Sequence, residues 1–254
     1  MGHAVVHFEA GATDDGPLVA FYAELFGWEL RGVPERGYTT IDTRGGAGIN
    51  GAIRKSPNGG RWPALFVEAD DPQATLDRAN SLGATTVSPV TDFGEALTIA
   101  TFGDLDGILV GLIRQDTGTV PSAGPGAAVD WFEILGSDAA RTQQFYADLF
   151  GWEVDSSAFP GYAVVDTGTG RGIYGGIGGG LESRWAIVYA GVSDMEHALG
   201  DVERLNGSRV EASEVTALKN AARTALYGSA DDINTGVFSD PVGNLFGVYH
   251  KQAS

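Results

Sequence analysis

The sequence predicts an α+β protein written twice, with two tandem halves that each contain two βαβββ modules. Three observations carry this reading. Phe21-Tyr22-Ala23-Glu24-Leu25-Phe26-Gly27-Trp28-Glu29 returns as Phe145-Tyr146-Ala147-Asp148-Leu149-Phe150-Gly151-Trp152-Glu153, a displacement of 124 residues in a chain of 254. Inside each copy, the spacing of Phe21, Leu25 and Phe26 is that of a buried helical face. Gly27 then stands where a helix ends with a left-handed residue, and Trp28 opens a strand. Strand-like runs and helix starts follow in the order strand, helix, three strands, twice per half.

Taken in order, Ala4–Ala10 alternates as a strand with Val5, His7 and Glu9 on one face. Thr13, Asp14 and Asp15 offer helix-start chemistry, and Pro17 suits a first turn. The helix is expected to run to Phe26, followed by strands from Trp28, over Tyr38–Thr43 and over Gly48–Arg54, with a loop at 56–60. Trp62–Ala69 reads as an apolar strand, and Asp71-Pro72 starts a second helix that stops at Leu82-Gly83. Strands follow near Thr85–Val90, Ala96–Phe102 and Ile108–Arg114.

Residues 116–127, rich in proline, glycine and small polar residues, read as a linker between a first domain at 1–115 and a second at 128–254. The second half then repeats the first, with Glu133 at the place of Glu9, Trp131 at that of His7, Tyr162 at that of Tyr38 and Asp194 at that of Asp71. The copies diverge after Val215. The segment 216–234 is longer than its counterpart and contains apolar spacing that fits a short helix over a cleft or a plain surface excursion.

Composition narrows the function. With 33 acidic and 16 basic residues the net charge is −17, which disfavours the cationic surface that nucleic acid requires and argues equally against an anionic membrane. There is no cysteine, which removes disulfides, thiolate metal sites and cysteine nucleophiles. The N-terminus shows no basic segment followed by an apolar core, and no run is long enough for a helical membrane span, so a cytoplasmic protein is expected.

The repeated helix-end motif, the Asp-capped second helix and the turn Asp240-Pro241-Val242-Gly243-Asn244 before the last strand resemble the vicinal-oxygen-chelate superfamily. That superfamily includes glyoxalase I, bleomycin-resistance proteins and extradiol dioxygenases. The resemblance covers essentially the whole chain and is nearest to tandem two-domain glyoxalase-like proteins. It implies that each half curves a mostly antiparallel sheet into a half-open barrel around a ligand cleft. It does not by itself fix an activity.

Metal-dependent members of the superfamily hold a divalent ion with His and Glu side chains from several strands. Carried across by spacing, the first ligand position is His7 in copy one and Trp131 in copy two. The second falls on Ala64 and Ile187, and the third on Gly111 and Gly247. One imidazole with Glu9 beside it is too small a donor set for a first-row ion, so neither a resident metal nor another cofactor is expected. Glycine at 111 and 247, where the family carries a bulky acid, predicts room for a ligand against the sheet.

What remains on the expected cleft faces is aromatic and carboxylate. Trp62, Phe66, Trp131, Glu133, Trp185, Tyr189 and Tyr249 are the candidate ligand contacts, and His7 with Glu9 is a candidate acid–base pair. Glu9 and Glu133 on a buried face require partners. Two glycine runs, Gly46–Gly51 and Gly170–Gly175, match the dinucleotide-binding spacing, but no helical segment follows either. The leading expectation is therefore a metal-independent glyoxalase- or bleomycin-resistance-like protein holding a small, largely apolar or aromatic molecule in a cleft between sheets, as a monomeric pseudo-dimer or a homodimer. The alternatives are a lyase, isomerase or dioxygenase-like enzyme using His7 and Glu9, with or without a weakly held ion, and a structural module with filled clefts.

Overall fold

Strand pairing, rather than helix packing, organises this chain. The computed structural model describes residues 3–33, 37–55, 62, 64–94, 97–115, 120–159, 161–180, 184–210 and 233–251. Most of the 216–234 segment, the 56–60 loop and residues 116–119 of the linker lie outside them.

The first half contributes β1 (Val5–Ala12), α1 (Gly16–Phe26), β2 (Glu29–Val33), β3 (Tyr38–Asp42), β4 (Asn50–Lys55), β5 (Leu65–Glu68), α2 (Pro72–Ser81), β6 (Thr85–Asp92), β7 (Leu97–Gly103) and β8 (Leu109–Gln115). The second half contributes β9 (Val129–Gly136), α3 (Ala139–Phe150), β10 (Glu153–Phe159), β11 (Tyr162–Asp166), β12 (Tyr174–Gly179), β13 (Trp185–Gly191), α4 (Met195–Arg204), β14 (Ser208–Arg209), β15 (Ile233–Ser239) and β16 (Leu245–Lys251). Each half forms one eight-stranded sheet, in the orders β2-β3-β4-β1-β5-β8-β7-β6 and β10-β11-β12-β9-β13-β16-β15-β14. Hairpin neighbours pair antiparallel, and β5–β8 and β13–β16 pair parallel. No helix among the described residues is long and apolar enough to cross a membrane.

The local signals act as their chemistry dictates. Asp71, Asp138 and Asp194 each cap a helix, their carboxylates accepting from the N–H of Ala74, Arg141 and His197 at 3.0, 3.0 and 2.9 Å. Asp15 departs from this pattern and makes no side-chain cap bond. Its carboxylate instead accepts from the Thr39 hydroxyl at 2.8 Å and pairs with Lys55. Gly27 and Gly151 end α1 and α3 at φ of 67° and 71°, the left-handed conformation that excludes most side chains.

The glycine runs that mimic a nucleotide motif have a different purpose. Each precedes a strand, β4 or β12, not a helix. The N–H of Ile49 donates to the Val129 carbonyl at 2.8 Å, and that of Ile173 to the Val5 carbonyl at 3.1 Å. A Cβ on Gly48 would lie 2.1 Å from Val129 O, and one on Gly172 2.4 Å from Val5 O, so both positions require glycine for close backbone approach.

The chain separates into two compact units that do not follow its halves. One holds Met1–His7, Pro63–Thr119 and Phe132–Ala186; the other holds Phe8–Trp62, Val120–Trp131 and Ile187–Ser254. Each unit thus joins one βαβββ module from the first half with one from the second, whereas the sequence suggested divisions at 1–115 and 128–254. The linker is also no free tether where it is described. Gly46 N–H donates to Ser122 O, Ser122 N–H to Asp42, and the Trp28 indole to Ala127 O.

The repeated aromatic motif forms the centre of each unit. In the second, Phe8, Tyr22, Phe26, Trp28, Phe238 and Phe246 pack together, with Phe26 and Trp28 centroids 4.6 Å apart. In the first, Phe132, Phe145, Tyr146, Phe150 and Trp152 play the same parts. Burying such rings supplies most of the hydrophobic driving force.

Candidate functional site

Glu9 lies on β1 in the second unit, its carboxylate side chain 2% exposed. A carboxylate so placed requires donors, and three converge on it. Arg54 of β4 donates from Nε to Oε2 at 3.1 Å and from Nη2 to Oε1 at 3.3 Å, and the Trp62 indole N–H donates to Oε2. The guanidinium also lies over two rings, 5.0 Å from the Tyr38 centroid and 5.2 Å from that of Trp62. Tyr38 stands directly opposite Arg54 in the β3–β4 register, so the ladder itself brings ring and cation together. The result is a half-buried cluster of Glu9, Arg54, Tyr38 and Trp62. Trp62, expected to begin a strand, precedes β5, which starts at Leu65; Trp62 is held through its indole.

The equivalent place in the other unit is built differently. Glu133 accepts from the Tyr162 hydroxyl at 2.9 Å, and both residues are buried. The counterpart of Arg54 is Gly178 and that of Ala52 is Gly176. A Cβ on Gly176 would lie 1.8 Å from Tyr162 Oη, so the tyrosine occupies space that a side chain would fill. Trp185, the counterpart of Trp62, keeps its indole N–H buried with no hydrogen-bond partner among the described residues. Copy one therefore presents a cation between aromatic rings, and copy two a tyrosine–carboxylate pair. Sequence reasoning missed Arg54, Tyr38 and Tyr162. The exchange of Arg54 for Gly178 at the 124-residue displacement is the signal that points to them.

The other predicted residues divide between packing and polar contacts. The His7 ring meets Phe66 edge-on at 5.7 Å. Phe66 itself is fully buried and lies across Gly111, where a Cβ would come 2.2 Å from the ring; Tyr189 lies across Gly247 in the same way. The space expected above Gly111 and Gly247 is thus filled by cross-strand aromatic rings, which corrects the expectation of room for a ligand there. Phe8 over Gly51 and Phe132 over Gly175 repeat the device, once in every βαβββ module. Tyr249 donates to Asp130, its hydroxyl 2.8 Å from both carboxylate oxygens. Burial raises the Asp130 carboxyl above the usual range, and this hydrogen bond works against the rise. Trp131 is half-buried in the second unit.

The donor set does not fit the divalent ion of the superfamily's metal-dependent members. Ile187 is a buried hydrocarbon, and acids at 111 and 247 would collide with Phe66 and Tyr189. Among the described residues no three His, Asp or Glu side chains are grouped so as to hold a metal ion.

Residues 5–112 match the glyoxalase-like domain family, and residues 129–168 match the bleomycin resistance protein-like N-terminal family. The fold is that of a Mn(II)-bound glyoxalase from Novosphingobium aromaticivorans, at a TM-score of 0.65 and 13% identity, over 98% of this chain and 83% of that one. The chain belongs to the vicinal-oxygen-chelate superfamily. Homoprotocatechuate 2,3-dioxygenase from Arthrobacter globiformis shares this vicinal-oxygen-chelate fold at a TM-score of 0.61 and 14% identity, over 98% of this chain and 80% of that one. In sequence, the chain is 25% identical over 268 aligned positions to CFP32 of Mycobacterium bovis, a protein provisionally named a glyoxylase, covering 93% of this chain and 90% of that protein.

Proposed function

We propose that this glyoxalase-like protein binds a small aromatic or largely apolar molecule without a resident metal, and that the Tyr38–Arg54–Trp62 cluster beside Glu9 forms part of the binding wall. The observation that supports this most directly is the buried hydrocarbon at Ile187 and the rings packed across Gly111 and Gly247, positions that correspond to family metal ligands, alongside a half-buried cluster of two aromatic rings and a guanidinium. Aromatic walls with a few fixed polar groups suit planar organic guests. The Glu9 carboxylate is already engaged by Arg54 and Trp62, so it serves better to hold the arginine than to move protons for His7. Sequestration needs only such shape and stacking.

Thermal unfolding of the purified protein against a panel of aromatic metabolites and antibiotics tests the reading, with metal content measured on the same samples. A ligand at 100 times its Kd stabilises by about 2.7 kcal/mol. The expected outcome is stabilisation by planar aromatic compounds, lost in Trp62→Ala, with metal well below one equivalent. Stoichiometric metal whose removal abolishes binding or turnover would overturn it.

A further inference from the structure

We propose that residues 168–172, between β11 and β12, form a flap in the first unit that Arg171 latches onto Glu68 of β5, and that its release uncovers this carboxylate; the inference is independent of the aromatic-binding role. The side chain of Glu68 is 12% exposed, and Arg171 Nη2 stands against its Oε2. That oxygen is shut off from solvent and accepts no hydrogen bond among the described residues. The contact is therefore one of charge without a directed hydrogen bond, and it compensates a carboxylate that is costly to leave alone away from water.

The other ties of the flap are local. Thr167 and Ile173 are buried at its two ends, while Gly168, Gly170, Arg171 and Gly172 are exposed. Gly168 N–H donates to Asp166 Oδ1 at 2.7 Å, and the Thr169 hydroxyl donates to Arg171 O at 2.7 Å. Beyond the flap, Ile173 N–H reaches Val5 O at 3.1 Å. A Cβ on Gly168 or Gly170 would meet nothing within 4 Å, so the tip stands clear of packing at both positions. Both are left-handed, at φ of 69° and 64°, a conformation that glycine adopts without strain.

The matching loop of the other unit is fastened differently. There Gly46 N–H donates to Ser122 O at 3.0 Å, and Gly45 bridges to Ala123. Ala47 stands in the place of Arg171. Gly191, which pairs with Tyr249 as Glu68 pairs with Ile113, stands in the place of Glu68. Among the described residues, backbone bonds hold that loop where a charge pair holds the flap, so the latch belongs to the first unit alone.

Trypsin reads the latch directly, because it cuts after an arginine only when that side chain is free to enter the protease. Brief digestion of the full chain, followed by mass spectrometry, gives the rates of cleavage after Arg171 and after Arg78. Arg78 lies in α2 of the same unit, so its cleavage reports opening of the unit as a whole. Glu68→Gln removes the charge, and Glu68→Asp keeps it one methylene short of Arg171. Each should raise the Arg171 rate relative to the Arg78 rate by about tenfold or more. In the native chain, going from about 0.1 to about 1 M salt should raise the same ratio by screening the guanidinium, which is 56% exposed, and should leave it unmoved in Glu68→Gln. An unchanged ratio in both variants, an equal rise at Arg78, or a native ratio indifferent to salt would overturn the latch.

Discussion

The Tyr22 hydroxyl donates to Asp240 Oδ2 at 2.9 Å, joining a helix of the first module to the last turn of the fourth across 218 positions of sequence. Tyr146 repeats the bond to Asp104 Oδ2 at 3.0 Å in the other unit. These two bonds connect the motifs that dominate the sequence, the Phe-Tyr-Ala helix end and the Asp-led turn before a closing strand. Each aspartate also organises its own turn: Asp240 accepts from the N–H groups of Val242 and Asn244, and Asp104 from those of Asp106 and Ile108.

The pairs differ in reserve, which sets an order of effects. Asp240 Oδ2 also accepts from Asn244 Nδ2 at 2.7 Å, whereas Tyr146 is the donor recorded for Asp104 Oδ2. Removing a donor from a buried acceptor costs about 1–3 kcal/mol. Urea unfolding should therefore show Tyr146→Phe destabilised toward the upper end of that range and Tyr22→Phe less. Equal losses would mean that Asn244 contributes nothing.

Alkaline pH should expose the same pairs. Burial, reinforced by the neighbouring aspartate, holds the Tyr22 and Tyr146 hydroxyls well above the ordinary value of 10.0. The unfolded chain then releases these protons first as pH rises, so their contribution is complete below about pH 10 and is lost above it. Thermal midpoints should fall from about pH 10 upward, and absorbance titration should show Tyr22 and Tyr146 among the tyrosines that ionise only with unfolding. Tyr22→Phe combined with Tyr146→Phe should flatten that fall.

The Glu9 cluster gives a sharper contrast. Arg54→Ala removes both guanidinium donors from a buried carboxylate, and breaking such a pair from one side costs about 3–5 kcal/mol. Adding Glu9→Gln to Arg54→Ala should recover much of the loss, because the uncompensated charge is gone. A double variant as unstable as the single one would show that packing of the arginine stem, not its charge, dominates.

Glycine beneath an aromatic ring is the fourth point of test. Gly111→Ala and Gly247→Ala each place a methyl 2.2 Å from a ring carbon of Phe66 or Tyr189. Overpacking of this kind costs about 1–3 kcal/mol or more. Thermal unfolding of Gly111→Ala should show the loss, and Phe66→Leu in the same chain should relieve part of it.

The helices, their aspartate caps, the glycine stops and the order of strands were legible in the sequence, because each depends on neighbours within a few positions. The pairing of Tyr22 with Asp240 was not: both motifs stood out, but nothing local records that they meet. The site divided along the same line. Glu9 was recognisable as a buried carboxylate needing a partner. The partner, Arg54, lies 45 residues away and becomes visible only by asking which side chains the two copies do not share. Expecting space over Gly111 failed for a related reason, since an absent side chain says nothing about which neighbour takes the room.

The interleaving of modules has a consequence for synthesis. A nascent chain that has emerged through residue 131 holds pieces of both compact units and the whole of neither. The unit ending at Ala186 is the first able to close, while strands of the other must wait, their aromatic rows uncovered, until the C-terminal module leaves the ribosome. Severed near the linker, neither fragment would carry a finished hydrophobic centre, and the two would regain one only by finding each other.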